Sequence, residues 1–345
     1  MRTNQRASAR PDTLVAAALH RGRQNPVKMT GVWVAIMLLG LAMPYVLGLY
    51  NLQLAVQGAT LAILAMSVGW LLRQTGQLSF GHAAFYGIAG YTAAIVGGGT
   101  GVPTEVALLF GVLAATVSSL VIGFFIVRLP GIAFSMVTLA IGMLVWVAST
   151  QLRSLTNGFD GMPVPFEGTF LGQEASMFTH PVTAWPFVWV SVMVVAALLW
   201  LVSRSVFGRR LTAIRENQDR ARFIGHSTYM PRVIAFTISG TVAGLAGAIA
   251  VLNLGFISPE QLYWDKSGLP LIVAIIGGVS SVAGPVVGAM IFTFLQAALA
   301  GSSQYQIIIG IVMMFVVIVA PGGGADVVKR IRKFIVRRWK GDIDA

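Results

Sequence analysis

Of the 345 residues, 56% are hydrophobic and only 10% are charged, and the mean hydropathy is +0.78. A soluble domain carries about 25% charged residues, so this composition excludes one and places the chain in a lipid bilayer. The net charge of +12 does not indicate a nucleic-acid partner. All but four of the 24 Lys and Arg fall at 2–28, 204–232 and 329–340, beside hydrophobic blocks, as the positive-inside rule requires.

Residues 1–28 form a basic tail with Arg2, Arg6, Arg10, Arg21 and Arg23 against one acid, Asp12. Its composition resembles a transit peptide, but a cytoplasmic tail explains it equally well. The membrane domain is expected over 29–325, followed by a second basic tail at 326–345. Residues 32–50 and 52–72 read as the first two spans, joined by a short turn at Asn51, with Arg73 marking a cytoplasmic end. The stretch 79–99 is apolar and rich in Gly and Ala, and 104–127 and 131–150 follow as further spans. A polar segment at 151–184 precedes a span at 185–203; another span covers 233–257, then a polar loop at 258–267. From 269 to 325 no residue is charged, room for about three crossings at roughly 20 residues each, with breaks near 277–285 and 301–306. The expected fold is all-α and polytopic with about ten crossings, or eight to nine if a glycine-rich break is re-entrant. Ten crossings put both tails and the 204–232 loop on one side, the arrangement that the three basic clusters also demand.

The loop contains the densest mixed-charge run, RRLTAIRENQDRARFIG at 209–225. Arg beside Glu216 and Asp219 cannot lie in hydrocarbon. The residue types and the i,i+4 pair Glu216–Arg220 predict a helix in water or against a partner. A plain solvated loop is the alternative.

Sequence chemistry argues against catalysis. There is no GxxxxGK[ST] phosphate loop, HExxH or GxSxG, no cysteine, and no metal-ligand spacing among the four His. No catalytic residue, metal site or cofactor of the chain's own is expected, so any energy for transport must enter through another subunit. His82 is the single clear titratable group within the spans; among small neutral neighbours it reads first as a packing residue. Breaks such as GGVSSVAGP at 277–285 read either as a pathway lining or as a tight hairpin, because irregular backbone at membrane depth needs protein or a water-filled cavity around it. Small residues four apart, such as Gly240 and Gly244 or Gly284 and Gly288, let helices approach closely.

The run at 209–225, preceded by Val206-Phe207-Gly208, resembles the cytoplasmic loop of branched-chain amino-acid ABC permeases of the LivM type. GQLSFGHAAFYGIAGY at 76–91, RLPGIAFSMVTLA at 128–140, NGFDGM at 157–162, GFISPE at 255–260 and GGVSSVAGPVVGA at 277–289 are similar to that family's blocks, in the same order. The resemblance implies a subunit of a bacterial inner-membrane importer with both termini cytoplasmic. Its partners would be a second homologous permease, two cytoplasmic ATPases that bind the ATP, and a periplasmic binding protein for hydrophobic amino acids. By carry-over Arg215, Glu216, Asn217, Arg220, Ala221 and Gly225 would form the ATPase-coupling loop. Gly76, Gln77, Ser79, His82, Ser135, Thr138, Gly277 and Gly278 are the candidates for the translocation pathway. Arg73, Ala133 and Ile141-Gly142 depart from the family's pattern, which opens the substrate to urea, short amides or other amino acids. A channel or facilitator without an ATPase is the rival from another class.

Overall fold

The computed structural model describes residues 26–314 apart from 99, 100, 165, 167, 302, 303, 305, 306, 312 and 313. Residues 1–25 of the first expected tail and all of the second, 326–345, lie outside the described residues. The chain divides between Val46 and Leu47 into two compact units. The first holds helix α1 (Pro26–Leu41) and a 3-10 turn at Met43–Tyr45. The span expected at 32–50 is therefore helical only as far as Leu41. Pro44 cannot continue an α-helical hydrogen-bond ladder.

The second unit contains α2 (Leu49–Thr75), α3 (His82–Gly97), α4 (Thr104–Ile126), α5 (Gly131–Gln151) and the short α6 (Arg153–Thr156). These are followed by α7 (Pro181–Arg204), α8 (Val206–Glu216), α9 (Gln218–Phe223), α10 (Tyr229–Leu254), α11 (Trp264–Gly277) and α12 (Ala283–Leu299). Five of these, α2, α4, α5, α7 and α10, are long and apolar enough to cross a membrane. The chain is an all-α, multi-pass membrane protein. Helices α3, α11 and α12 have 16, 14 and 17 residues. At about 1.5 Å per residue they fall short of the roughly 30 Å hydrocarbon layer. A crossing by any of the three therefore needs non-helical chain as well. Of the three crossings expected in 269–325, the described residues show α12 and the end of α11, with one further helical stretch at 307–311.

Helices α2 and α10 are the inner pair, with 78% and 67% of their apolar windows buried, against 28% for α4, 22% for α5 and 39% for α7. The outer helices present Leu109, Phe110, Val117 and Phe125 of α4 and Met136 and Leu144 of α5 to the surroundings, as lipid-facing or partner-facing helices must. Close packing at the centre depends on small residues. A Cβ at Gly244 of α10 would stand 2.3 Å from the Ala115 Cβ of α4, and one at Gly247 only 2.0 Å from the Tyr86 carbonyl oxygen of α3. Glycines on α10 thus let α3 and α4 approach it closely, as the small-residue spacing at Gly240 and Gly244 predicts.

One end of this unit carries a small cap made from the polar segment 151–184 and the loop after α10. Strand β1 (Met162–Pro163) pairs antiparallel with β4 (Phe256–Ile257), and β2 (Thr169–Phe170) pairs with β3 (Gln173–Glu174). Under it Phe170, Phe178 and Phe187 pack edge to face with centroids 4.8 to 6.1 Å apart. The opposite end gathers the C-terminal ends of α2 and α7, the start of α10, and α8 and α9.

Candidate functional site

The mixed-charge run is two helices rather than one. Asn217 leaves helical geometry at φ −158°, ψ 104°, and its Oδ1 accepts the Arg220 amide at 2.8 Å, capping α9. That cap satisfies an amide that a continuous helix would have paired elsewhere. The helix break also removes the expected Glu216–Arg220 pairing geometry, and no ion pair joins these two among the described residues. Leu211, Ile214 and Ala221 turn inward and are buried. Arg215, Glu216, Asn217, Arg220 and Gly225 are exposed, and Phe223 and Ile224 stand out at 91% and 67% exposure. The helix pair thus ends in an exposed apolar tip between charged faces.

The pair is fastened to the membrane helices by polar side chains. Ser203, in the last turn of α7, accepts from Trp70 Nε1 at 2.9 Å and from Gln74 Nε2 at 2.8 Å, both on α2, and donates to the Leu199 carbonyl at 2.6 Å. The Thr212 hydroxyl of α8 shares its hydrogen between the Gly208 carbonyl at 3.1 Å and Gln74 Oε1 at 3.5 Å. Arg215 donates Nη1–H to the main-chain carbonyl of Arg73 at 2.6 Å. Two cation–π contacts lie at this same end: Arg204 over Trp200 at 4.2 Å and Arg128 over Tyr229 at 4.6 Å. Trp and Tyr with long cationic side chains are what a membrane–water interface selects.

From the end of α2 the chain runs into a non-helical segment, 76–81, before α3 begins. The span expected at 79–99 is helical only from His82. Gly76 makes the turn in the left-handed region, at φ +73°. Irregular backbone at this depth must find partners inside the protein, and α5 and α11 supply them. Ser135 Oγ donates to the Leu78 carbonyl at 2.7 Å, Thr138 Oγ1 accepts the Phe80 amide at 3.1 Å, and Ser267 Oγ accepts the Ala83 amide at 3.0 Å.

His82 closes the segment onto both inner helices. Ser239 of α10 donates its hydroxyl hydrogen to the Ser67 carbonyl of α2 at 2.7 Å. Its oxygen is left to accept from His82 Nε2–H, at 2.7 Å. Nδ1 then carries no hydrogen and accepts from Ser79, at 3.0 Å. His82 is fully buried between the edges of Phe85 and Phe236. Its imidazole is a fastener with both nitrogens in use.

The pathway candidates thus divide by what their polar atoms already do. Ser79, His82 and Thr138 are engaged in holding the segment, and Gly76 turns it beneath Arg215, whose Cγ would lie 3.3 Å from a Cβ there. Gln77 is buried, and its Oε1 has no partner among the described residues. Gly277 and Gly278 lie in a tight hairpin between α11 and α12. A Cβ at Gly277 would stand 2.0 Å from the Gly284 carbonyl oxygen, and one at Gly284 2.0 Å from that of Gly278. Sequence reasoning does not find Trp70, Gln74, Ser203, Ser239 or Ser267. Their partners lie far away along the chain, and no spacing in a single sequence marks them.

Residues 50–318 match the family described as the permease component of the branched-chain amino acid transport system. The chain belongs to that family. Among curated proteins, this permease is 26% identical to the high-affinity branched-chain amino acid transport system permease protein LivM of Escherichia coli. That alignment covers 87% of this chain and 75% of the relative. The LivM of Salmonella typhimurium is 25% identical over the same shares. The autoinducer 2 import system permease protein LsrC of Salmonella paratyphi B is 26% identical over 56% of this chain and 53% of its own. No solved structure matches. The relatives are transport permeases and not enzymes, so the permease is read by what it moves and what moves it.

Proposed function

We propose that this permease is one of two homologous membrane subunits of a bacterial inner-membrane ABC importer. Two cytoplasmic ATPases bind the ATP, and a periplasmic binding protein delivers hydrophobic, branched-chain amino acids to the cap end. Both termini and the loop carrying α8 and α9 face the cytoplasm. The observation that carries this reading is the fastening of an exposed helix pair to α2 and α7. A force applied at Glu216, Asn217 and Phe223 reaches Arg73 and Gln74 through hydrogen bonds, and then the segment 76–81 through the covalent chain. Movement of a bistable element by a stiff lever is how ATPase closure becomes alternating access. Of the candidate lining residues, Gln77, with its unused acceptor, is best suited to meet a solute, while the half-buried Ser135 of α5 holds the Leu78 carbonyl beside it. Gly76, Ser79, His82, Thr138, Gly277 and Gly278 shape the wall.

The experiment is uptake into proteoliposomes holding the permease with its co-purifying subunits, comparing leucine, isoleucine and valine with urea and acetamide. ATP-dependent uptake of the amino acids, abolished by Glu216→Lys with protein level unchanged, is expected. Flux that is independent of ATP and indifferent to Glu216→Lys contradicts the importer reading in favour of a facilitator. A second substrate reading rests on the autoinducer 2 permease among the relatives, whose name gives it a solute other than an amino acid. Urea or an amide is the corresponding alternative here.

A further inference from the structure

A cavity of about 580 Å³ lies where the ends of α2 and α8 meet the α11–α12 hairpin. Arg73 and Arg215 line it together with Ser280, while Leu72, Ile275 and Val279 form an apolar wall. Both arginines face this one space with no acidic partner among the described residues. Among the described residues the one ion pair is Lys266–Asp265, which belongs to the start of α11 near the cap. Glu216 and Asp219, on the same helix pair as Arg215, make no ion pair with either arginine. Arg215 spends one nitrogen on the Arg73 carbonyl, and the Arg73 side chain reaches along the hairpin, where it also lines a small crevice with Trp70, Ser281 and Pro285. Two like charges lining one cavity, with no counter-charge among the described residues, attract an anion. Guanidinium groups match phosphate oxygens in geometry and charge. A free phosphate would leave most of this volume and all of the apolar wall unused, whereas a phospholipid headgroup with the start of its acyl chains would occupy both.

We propose that this cavity is an anionic-phospholipid site, in which Arg73 and Arg215 hold the phosphate and Leu72, Ile275 and Val279 receive the glycerol and upper acyl chain. The placement in the cytoplasmic leaflet rests on the orientation proposed above; the binding itself does not. A lipid seated there bridges α8, the end of α2 and the hairpin, and ties the lever to the membrane surface, where anionic lipid concentrates basic groups.

The test is native mass spectrometry of the full-length permease in detergent, with its co-purifying subunits, titrated with phosphatidylglycerol or phosphatidylcholine. Arg73→Gln removes the guanidinium but keeps the carbonyl that Arg215 holds. Wild type should retain phosphatidylglycerol selectively, and Arg73→Gln should bind it about tenfold more weakly, the loss of one charged hydrogen-bonding partner. Arg73→Lys should keep part of the binding. Arg153→Gln, which removes one positive charge near the cap, should bind as wild type does. A thermal-shift titration with inorganic pyrophosphate at fixed ionic strength runs alongside. Stabilisation by pyrophosphate that Arg73→Gln abolishes, without selectivity for phosphatidylglycerol, overturns the lipid assignment and gives the site to a soluble anion. Equal retention of both lipids with no Arg73-dependent pyrophosphate effect overturns the proposal altogether. Because binding is the readout, such failure leaves the importer reading standing.

Discussion

The side chain of Arg215 on α8 caps the main-chain carbonyl of Arg73, in the last turn of α2, at 2.6 Å. Carbonyls in the last turn of a helix have no partner within it, and the Gln77 amide that could have served instead bonds the Thr75 hydroxyl. One exposed side chain therefore completes the end of the most buried helix. Arg215→Ala should lower stability only slightly, by about 1 kcal/mol, since water can replace the guanidinium. ATP-dependent uptake should fall at least tenfold while the partner ATPases continue to turn over. The ratio of solute moved to ATP hydrolysed in proteoliposomes measures it.

Ser203 is the knot between α7 and α2. Ser203→Ala leaves the Trp70 Nε1–H and one Gln74 amide hydrogen without their acceptor, a cost of about 2 kcal/mol for donors in a partly buried position. Ser203→Thr keeps the oxygen and should retain most of the stability. Thermal unfolding followed by tryptophan fluorescence in detergent separates the two variants.

The α11–α12 hairpin tolerates no side chain at its crossing. Gly277→Ala would drive a Cβ to within 2.0 Å of a backbone oxygen, so the helices must part, and the variant should not accumulate in the membrane. At Gly268, within α11, a methyl group would meet nothing within 4 Å. Gly268→Ala should be neutral or stabilising by up to about 1 kcal/mol, because Ala is the better helix former. Immunoblots of isolated membranes, with size-exclusion profiles, decide both.

His82 and Gln77 should fail differently. His82→Ala removes the buried bridge that ties Ser79 and the start of α3 to Ser239 of α10 and should destabilise by roughly 2–4 kcal/mol, reducing uptake of every solute alike. Gln77→Ala removes an acceptor without a partner among the described residues, together with a long Nε2–H bond to the Val127 carbonyl at 3.5 Å. It should lower the melting temperature less than His82→Ala does and raise the KM for uptake, with kcat little changed.

Much of this architecture is legible in the chain. Apolar runs closed by the glycine-proline turn at 101–103, by Arg128 and by Arg204 mark the ends of α3, α4 and α7 to within a few residues. The density of glycine in 277–285 marks the hairpin, whose close packing at Gly277 and Gly284 hydropathy does not show. Two boundaries depart from the sequence expectation for physical reasons. Hydropathy makes no distinction between the non-helical segment 76–81 and a helix, because its polar backbone is satisfied by Ser135 and Thr138 from a distant element. The break at Asn217 is hidden by good helix formers on both sides; an Asn in front of a short run is the N-cap signal that reveals it. The links of Trp70 and Gln74 to Ser203, and of His82 and Ser67 to Ser239, join residues more than 100 positions apart and require the fold.

The most direct test of ATP-driven coupling is a pull-down of the full-length permease from detergent extracts of its native membrane, wild type beside Phe223→Asp. Phe223 is 91% exposed at the tip of α9, so the change should not disturb folding. The wild type is expected to bring down a second permease and two ATPases, and Phe223→Asp to keep the permease partner while losing the ATPases. Recovery of the wild type alone, from an extract in which other membrane complexes survive, or retention of the ATPases by both proteins, would contradict the assignment of α8 and α9 as the element through which ATP drives transport.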